Sequence, residues 1–225
     1  LLNIQKADFS NNSFVKSVEN TYSTSSSSKW KQVKLFCDSI LSSYNREVQE
    51  LLLAMEDDDQ KIRDRLDDMY GSRQFDPSNH AAMKLWDIQE KKDSLNQLKL
   101  DRIVNNFGFP GKSLVGSKLS NVAISIILHG NLEFQEKYLE IVKKFIELNE
   151  LDKANYPYLM DRILMGKGQK QMYGTQFSYD EKLKKVSLYP IEDPIRIDER
   201  RAAYHLLPLK YDIEFYNSIY ERFGK

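Results

Sequence analysis

The spacing of apolar residues between Trp30 and Leu164 is the feature that most constrains what this chain can fold into. Through most of this stretch they recur every three or four positions, which is the period of one face of an α-helix. Glycine and proline residues interrupt the pattern at intervals of helical length. The pattern predicts successive helices near residues 30–44, 51–69, 80–107, 121–129, 134–148 and 152–164. Gly71 is expected to end the second helix. The inward stripe expected for the third helix is Met83, Leu85, Ile88, Leu95, Leu98, Ile103 and Phe107.

The region after residue 168 has a different character. Residues 172–179 and 185–189 are rich in aromatic and β-tending residues, and a polar stretch lies between them. This composition predicts a β-hairpin. Asp193 and Pro194 then predict a helix start, with aspartate as N-cap and proline in the first turn. The fold class expected is mainly α, a compact multi-helix bundle with one small β-hairpin near residues 172–189.

The beginning of the chain differs from the rest. Residues 1–28 are polar and end in four consecutive serines, which is typical of an arm or short helix followed by a flexible linker. We therefore expect two parts: a polar, serine-rich N-terminal arm and first helix over residues 1–45, and a helical domain with the β-hairpin insertion over residues 46–225.

Charge and residue counts restrict the partners. Lysine plus arginine number 33 and aspartate plus glutamate number 33, so the formal net charge is zero. Nucleic-acid binding usually requires a basic excess, and no nucleic-acid partner is expected. The single cysteine, Cys37, excludes an internal disulfide and a cysteine-rich metal site. The three histidines lack the spacing of a helical zinc pair, so neither a metal nor another cofactor is predicted.

Membrane insertion and location follow from two further observations. The longest apolar run, residues 122–128, is far shorter than the roughly 20 residues that span a bilayer, so no transmembrane segment is predicted. The sequence begins with Leu1 rather than methionine. That start agrees with a trimmed cytoplasmic protein and equally with export after removal of a signal peptide.

Asp59 interrupts the apolar stripe of the second predicted helix. It lies four residues after Met55 and three before Ile62, so its carboxylate should point inward. Arg63 follows one turn later and can pair with it. A buried carboxylate is costly unless it is paired. The two interpretations are a buried ion pair between helices and a charged group that lines a pocket.

His129 occupies the last turn of the predicted helix 121–129, which is apolar nearly all round. One interpretation is a histidine that bonds a carbonyl at the negative end of the helix. The other is an imidazole that binds a ligand or serves as a general base near neutral pH.

Asp161 and Arg162 are adjacent in the predicted helix 152–164, between apolar residues at 159–160 and 163–164. Neighbouring helical side chains point about 100° apart, so both cannot face solvent while their apolar neighbours pack. At least one of the two charged side chains should reach an interior partner, which is either structural or part of a site.

Glu192 and Asp193 precede a predicted helix that carries Arg200 and Arg201. The planar fork of arginine suits carboxylate or phosphate groups. The pattern favours either a salt-bridge network that holds the hairpin to the bundle or an anion-binding pocket.

These residues belong to short sequence motifs that follow one another in a set order. They are DQKIR at 59–63, FGFPGKSLVG at 107–116, His129, YLMDR at 158–162, YGTQ at 173–176, and PIEDP at 190–194 with Asp198, Arg200 and Arg201. Over residues 46–211 the chain resembles a bacterial family of unknown function, the 6624 family. The resemblance implies a shared helical fold and a shared polar cluster that includes Gln60, His129, Asp161, Arg162 and Gln176. It implies no activity.

The leading functional hypothesis is a polar pocket that binds a small molecule or a peptide, with hydrolysis or group transfer as the reaction class. The predicted catalytic residues are His129, Asp161 and Arg162. The predicted ligand-binding residues are Asp59, Arg63, Tyr173, Gln176, Glu192 and Arg200. The alternative is a non-enzymatic interaction module, such as an accessory or immunity-like protein with a protein partner, in which the polar cluster is structural.

Overall fold

The computed structural model describes residues 28–70, 79–180 and 185–223. The predicted fold class is confirmed, since the described residues form α-helices and one small antiparallel hairpin. The predicted arm at residues 1–27 and the predicted helix stop at Gly71 lie outside the described residues. The elements are α1 Ser28–Ser43, α2 Arg46–Tyr70, α3 His80–Phe107, α4 Lys112–Val115, α5 Ser117–Leu128, α6 Leu132–Glu147, α7 Asn155–Gly166, β1 Phe177–Asp180, β2 Lys185–Leu188, a 3₁₀ helix Pro194–Arg196, α8 Ile197–Ala203 and α9 Leu209–Phe223.

Helix α5 lies at the centre of the bundle. It packs against α2, α3, α4, α6 and α7. Its sequence is apolar on nearly every side, which predicts burial, and Val122, Ala123, Ile124, Ile126 and Ile127 are buried. Since α5 ends at Leu128, its C-terminus brings His129 to the point where several helices meet. Within the described part of the chain, no helix has the length and apolar character needed to cross a bilayer.

Helices α2 and α3 pack face to face. The buried series on α2 steps by four and three residues and includes one charged member. The series is Val48, Leu52, Met55, Asp59, Ile62 and Leu66. The inward position predicted for Asp59 is thereby confirmed.

The face that α3 turns inward differs from the predicted one. The apolar residues Met83, Ile88, Leu95 and Leu98 were expected in the core and are exposed. The buried series instead recurs every seven residues, as Ala82, Gln89, Asn96 and Ile103, with Leu100 beside it. The reason is polar contact with α2, because Asn96 Nδ2 donates to the Met55 carbonyl of α2 and Gln89 Nε2 donates to Asp93, whose carboxylate binds Arg63 of α2. Gln89 Oε1 is buried and has no partner among the described residues.

The hairpin is shorter than predicted. Strands β1 and β2 pair from Phe177 opposite Leu188 to Asp180 opposite Lys185. Residues 172–176, expected to belong to the first strand, form a loop together with Gln171, which makes an isolated bridge to Ile191. Gly174 has a φ of 64° in this loop, and an added Cβ would lie 3.0 Å from Ile197 Cδ1. The loop path therefore depends on glycine.

The predicted N-cap at Asp193 is wrong. Asp193 has a left-handed backbone conformation with φ of 46°, and its side chain makes no capping hydrogen bond. Its carboxylate accepts a hydrogen bond of 2.7 Å from Arg196 Nε instead. The turn begins as a 3₁₀ helix at Pro194, so proline keeps its expected place in the first turn.

Candidate functional site: a buried aspartate and histidine between cavities

Asp59 and His129 form a close pair between α2 and the end of α5. His129 Nδ1 lies 2.9 Å from Asp59 Oδ1 and 3.1 Å from Oδ2. Asp59 is only 2% exposed, whereas the His129 side chain keeps 22% of its surface in contact with solvent. His129 therefore bonds a carboxylate across the interface instead of the backbone carbonyl that the helix-end interpretation expected.

Further side chains surround the carboxylate of Asp59. Gln60 Nε2 donates to Oδ2 at 2.6 Å, and Arg63 Nε donates to Oδ1 at 3.3 Å, which confirms the predicted pair of Asp59 and Arg63. Arg63 Nη2 also binds both oxygens of Asp93 on α3, at 2.8 and 2.7 Å. Arg63 thus lies between two carboxylates and locks α2 to α3.

The electrostatics of Asp59 favour its ionised form. Burial raises the pKa of this carboxyl, but the hydrogen bond and charge of His129, followed by Arg63, outweigh burial and lower the pKa from its ordinary value. An ionised carboxylate only accepts hydrogen bonds, so the proton between the two side chains belongs to His129 Nδ1. In the neutral imidazole Nε2 is then an acceptor, and it has no hydrogen-bond partner among the described residues.

Two cavities flank this pair. The first has a volume of about 510 Å³ and is bordered by the His129 turn and by one face of α3; its lining residues are Met83, Trp86, Asp87, Glu90, Asp93, Ser94, Gln97, His129, Gly130 and Asn131. The second has a volume of about 390 Å³ and reaches Asp59; it is lined by Glu56, Asp59, Gln60, Lys118, Asn121, Val122 and Ser125. Both volumes fall within the range of small-molecule sites.

A third cavity of about 280 Å³ contains Arg162. Its lining residues are Leu132, Gln135, Arg162, Met165, Gly166 and Gln176. Residue Arg162 is exposed by surface area, yet partial burial of the guanidinium, followed by the positive charge of Arg63, lowers the pKa of Arg162. Arg162 is therefore within electrostatic range of Arg63, which binds Asp59.

Asp161 precedes Arg162 on α7, points into the core and is fully buried. Its Oδ1 accepts from the backbone N–H groups of Met172 at 2.7 Å and Tyr173 at 3.1 Å. Its Oδ2 accepts from the N–H and the hydroxyl of Thr175, at 3.0 and 2.9 Å. The predicted interior partner is thus the backbone of loop 171–176, which Asp161 pins to α7.

Two arginines on α8, Arg200 and Arg201, also bind loop 171–176. Together with Asp161 they form a group that we call the loop anchor. Arg200 donates to the carbonyl oxygens of Met172, Glu192 and Asp193 at distances of 2.7–2.9 Å. Arg201 is fully buried and binds the carbonyls of Tyr173 and Leu207 and the carboxylate of Asp212.

The remaining predicted residues lie around the same anchor. Tyr173 is buried, with its ring edge-on to Tyr156 and Tyr204, and burial is the main cause that raises the pKa of its hydroxyl. The Glu192 side chain is 64% exposed and lies 3.4 Å from Lys170 Nζ at the surface.

The structure therefore divides the predicted site residues into two groups. Asp59 contacts both Arg63 and His129, and Arg162, which is within electrostatic range of Arg63, shares a cavity with Gln176. Asp161, Tyr173 and Arg200 belong to the loop anchor, and Glu192 lies at the surface.

Sequence reasoning missed Gln89, Asp93 and Gln135. A pattern in the sequence could have indicated the first two: Gln89 lies seven residues after Ala82 and seven before Asn96, and Asp93 follows it by one helical turn.

No group of three or more metal-ligating side chains is arranged to hold an ion in the ranges 28–70, 79–180 and 185–223.

Fold and site together define a mainly helical protein in which a buried aspartate orients a histidine beside a cavity. The chain belongs to the family of unknown function DUF6624, whose model matches residues 46–223. The predicted resemblance over residues 46–211 is confirmed, and the match extends further toward the C-terminus. No curated protein and no solved structure shows detectable similarity to the chain.

Proposed function

We propose that this protein binds a small molecule or peptide in the cavity beside His129 and catalyses hydrolysis or group transfer there. The observation that carries the proposal is the hydrogen bond of 2.9 Å between His129 Nδ1 and the buried carboxylate of Asp59. A carboxylate that fixes the proton on Nδ1 leaves Nε2 to accept a proton, as general-base catalysis requires. The 510 Å³ cavity gives this side chain room for a substrate.

The proton balance of the proposed step involves His129 alone. A water molecule or an acceptor hydroxyl gives its proton to Nε2 while its oxygen bonds to the electrophilic centre of the substrate. The bond to the leaving group then breaks, and the imidazolium returns the proton to the leaving atom. Asp59 remains ionised and stabilises the imidazolium, and Arg63, anchored by Asp93, keeps Asp59 in position.

The test is a screen of ester, amide and phosphoester substrates with the wild-type protein, followed by variants on any substrate that turns over. We expect His129→Asn to lower kcat by about 10²- to 10⁴-fold, the usual contribution of a general base. His205→Asn is the matched control, because His205 has a φ of 61° that asparagine tolerates. Turnover that survives His129→Asn, or the absence of turnover in all three classes, contradicts the proposal.

A second candidate is a non-enzymatic interaction module that recognises a protein partner, and the exposed side of α3 favours it. Ile88, Leu95 and Leu98 lie seven and three residues apart and are 46%, 55% and 57% exposed. An exposed line of large apolar side chains is typical of a protein-contact surface. For this candidate, Leu95→Lys with Leu98→Lys should abolish any concentration-dependent association seen by sedimentation, while His129→Asn leaves it unchanged.

A further inference from the structure

The third cavity, which contains Arg162, Gln135 and Gln176, differs from the other two in its chemistry. We infer that it is a subsite for a carboxylate with a neighbouring N–H group, as at the C-terminus of a peptide or in an N-acylated amino acid. This assignment deepens the proposed function and rests on it, because it names the class of substrate that would lie beside His129.

Arg162 supplies the charge in this subsite. It makes no hydrogen bond or ion pair with any residue that the structure describes. The three other arginines around the candidate site already bind protein groups: Arg63 binds two carboxylates, Arg200 three carbonyls, and Arg201 two carbonyls and Asp212. Arg162 thus keeps its whole fork of N–H donors for an external anion, and guanidinium binds carboxylates in a bidentate manner.

Gln135 supplies a fixed acceptor. The residue is only 7% exposed, and its Nε2 donates to the carbonyl oxygens of Leu128 at 3.1 Å and Gly130 at 2.9 Å. Since both partners are acceptors, the amide orientation is determined and Oε1 points away from them. Oε1 has no partner in the described ranges, although the residue is nine-tenths buried and lines the cavity. Gln135 Oε1 is not among the buried atoms without a partner, so it keeps access to solvent and can accept a hydrogen bond from a bound ligand.

Gln176 supplies a second acceptor by the same reasoning. The Thr175 hydroxyl donates to Asp161, so it can only accept from Gln176 Nε2, which lies 3.1 Å away. This bond fixes the Gln176 amide and leaves its Oε1 without a partner within the described part of the chain. Asp161 therefore acts on the subsite indirectly, by setting the orientation of Gln176.

The combination of one guanidinium and two amide oxygens selects the ligand. Arg162 donates to an anion, whereas the oxygens of Gln135 and Gln176 accept only from N–H or O–H groups. Inorganic phosphate in its dianionic form carries its single O–H donor on the anionic group itself and has no N–H, while an N-acylated amino acid offers a carboxylate for Arg162 and a separate N–H two bonds away for an amide oxygen. The apolar surfaces of Leu132 and Met165 suit a small side chain.

The subsite is physically connected to His129. Gln135 bonds the carbonyl oxygens of the two residues that flank His129, so it forms part of the turn that carries the imidazole. The charge of Arg63, which contacts Asp59, is felt at Arg162. A ligand held by its carboxylate at Arg162 would therefore lie next to the turn that carries the proposed base.

The test is an NMR titration of the full chain with N-acetylalanine, N-acetylalanine amide and inorganic phosphate. N-acetylalanine is expected to shift the side-chain amide signals of Gln135 and Gln176, and the uncharged amide is expected to bind at least about tenfold more weakly, since a charge-assisted pair is lost. Arg162→Gln should weaken N-acetylalanine binding by a similar factor, and Arg162→Lys should recover only part of it. Arg102→Gln, which removes an exposed arginine on α3, is the matched control and should have no effect.

Three outcomes overturn the inference: equal binding of N-acetylalanine and its amide, phosphate binding as tight as that of N-acetylalanine, and no binding of N-acetylalanine at millimolar concentration. Titration of His129→Asn separates this inference from the proposed function. If N-acetylalanine still binds to His129→Asn but the wild type turns over no substrate, the catalytic proposal is contradicted and the subsite is not. If turnover depends on His129 but not on Arg162, the subsite inference is contradicted and the catalytic proposal is not.

Discussion

Asp59 and Asp161 are both aspartates on the buried face of a helix, but they bind different kinds of groups. Asp161 accepts three backbone N–H groups and one hydroxyl, all from loop 171–176. Asp59 accepts only from side chains, and two of its partners, Gln60 and His129, line cavities.

The difference separates a structural carboxylate from an orienting one. A carboxylate saturated with backbone donors fixes the path of the chain, and its removal leaves buried N–H groups without partners. A carboxylate bound to an imidazole and a guanidinium fixes the direction of those groups and leaves their other atoms available. Burial alone does not distinguish the two; the identity of the donors does.

The largest effect is expected at Asp161. Asp161→Ala should lower the free energy of unfolding by about 3–4 kcal/mol, because four donors lose their acceptor in a fully buried place. Urea denaturation measures this, with Asp64→Ala on the exposed side of α2 as the control, which should change stability by less than about 0.5 kcal/mol. Equal midpoints for the two variants would contradict the structural role of Asp161.

Asp59→Ala should lower the free energy of unfolding by less, on the order of 1–2 kcal/mol. His129 is partly exposed to solvent, and Arg63 still binds Asp93, so neither side chain is left buried without a partner. The same change should abolish most of any activity that depends on His129. Denaturation and turnover measured on one preparation check both statements. A loss of stability larger than that of Asp161→Ala would reverse the assignment of the two residues.

The pH dependence of stability sharpens the comparison further. The pKa of Asp59 is lowered from its ordinary value of 3.8 in the folded protein, so its contribution is fully present above that pH and disappears as the pH falls through the folded value. Asp59→Asn should therefore flatten the acid limb of the stability curve below about pH 4. Asp58 and Asp193, whose pKa values are also lowered, remain in both proteins and provide the common background. Parallel acid limbs in the wild type and Asp59→Asn would show that the carboxylate is not stabilised as described.

Asp59 could be located from the sequence, whereas the partners of Asp161 could not. The four-three spacing from Met55 through Asp59 to Ile62 places the carboxylate inside, and Arg63 follows one turn later. The inward side of Asp161 depends on the path of residues 171–176, whose composition suggested a strand. Since three of its four donors are backbone N–H groups, a side-chain pattern could not have identified them.

The inward face of α3 and the role of Gln135 illustrate a second limit. Counting apolar residues selected Ile88, Leu95 and Leu98 for the core, but the inward face carries Asn96, which bonds the Met55 carbonyl of α2. Gln135 is an ordinary polar residue in an amphipathic helix until its two carbonyl partners are known. Hydrogen bonds between polar groups that are far apart in the sequence depend on the tertiary structure. The spacing of apolar residues within one helix does not predict them.

The most direct test is the protonation of the His129 ring, measured by ¹⁵N NMR at a pH where the imidazole is neutral, with His129→Asn to assign the signals among the three histidines. We expect the proton on Nδ1 and an unprotonated Nε2 in the wild type, and a loss of this preference in Asp59→Asn. A ring protonated on Nε2, or a preference unaffected by Asp59→Asn, would mean that Asp59 does not orient the imidazole.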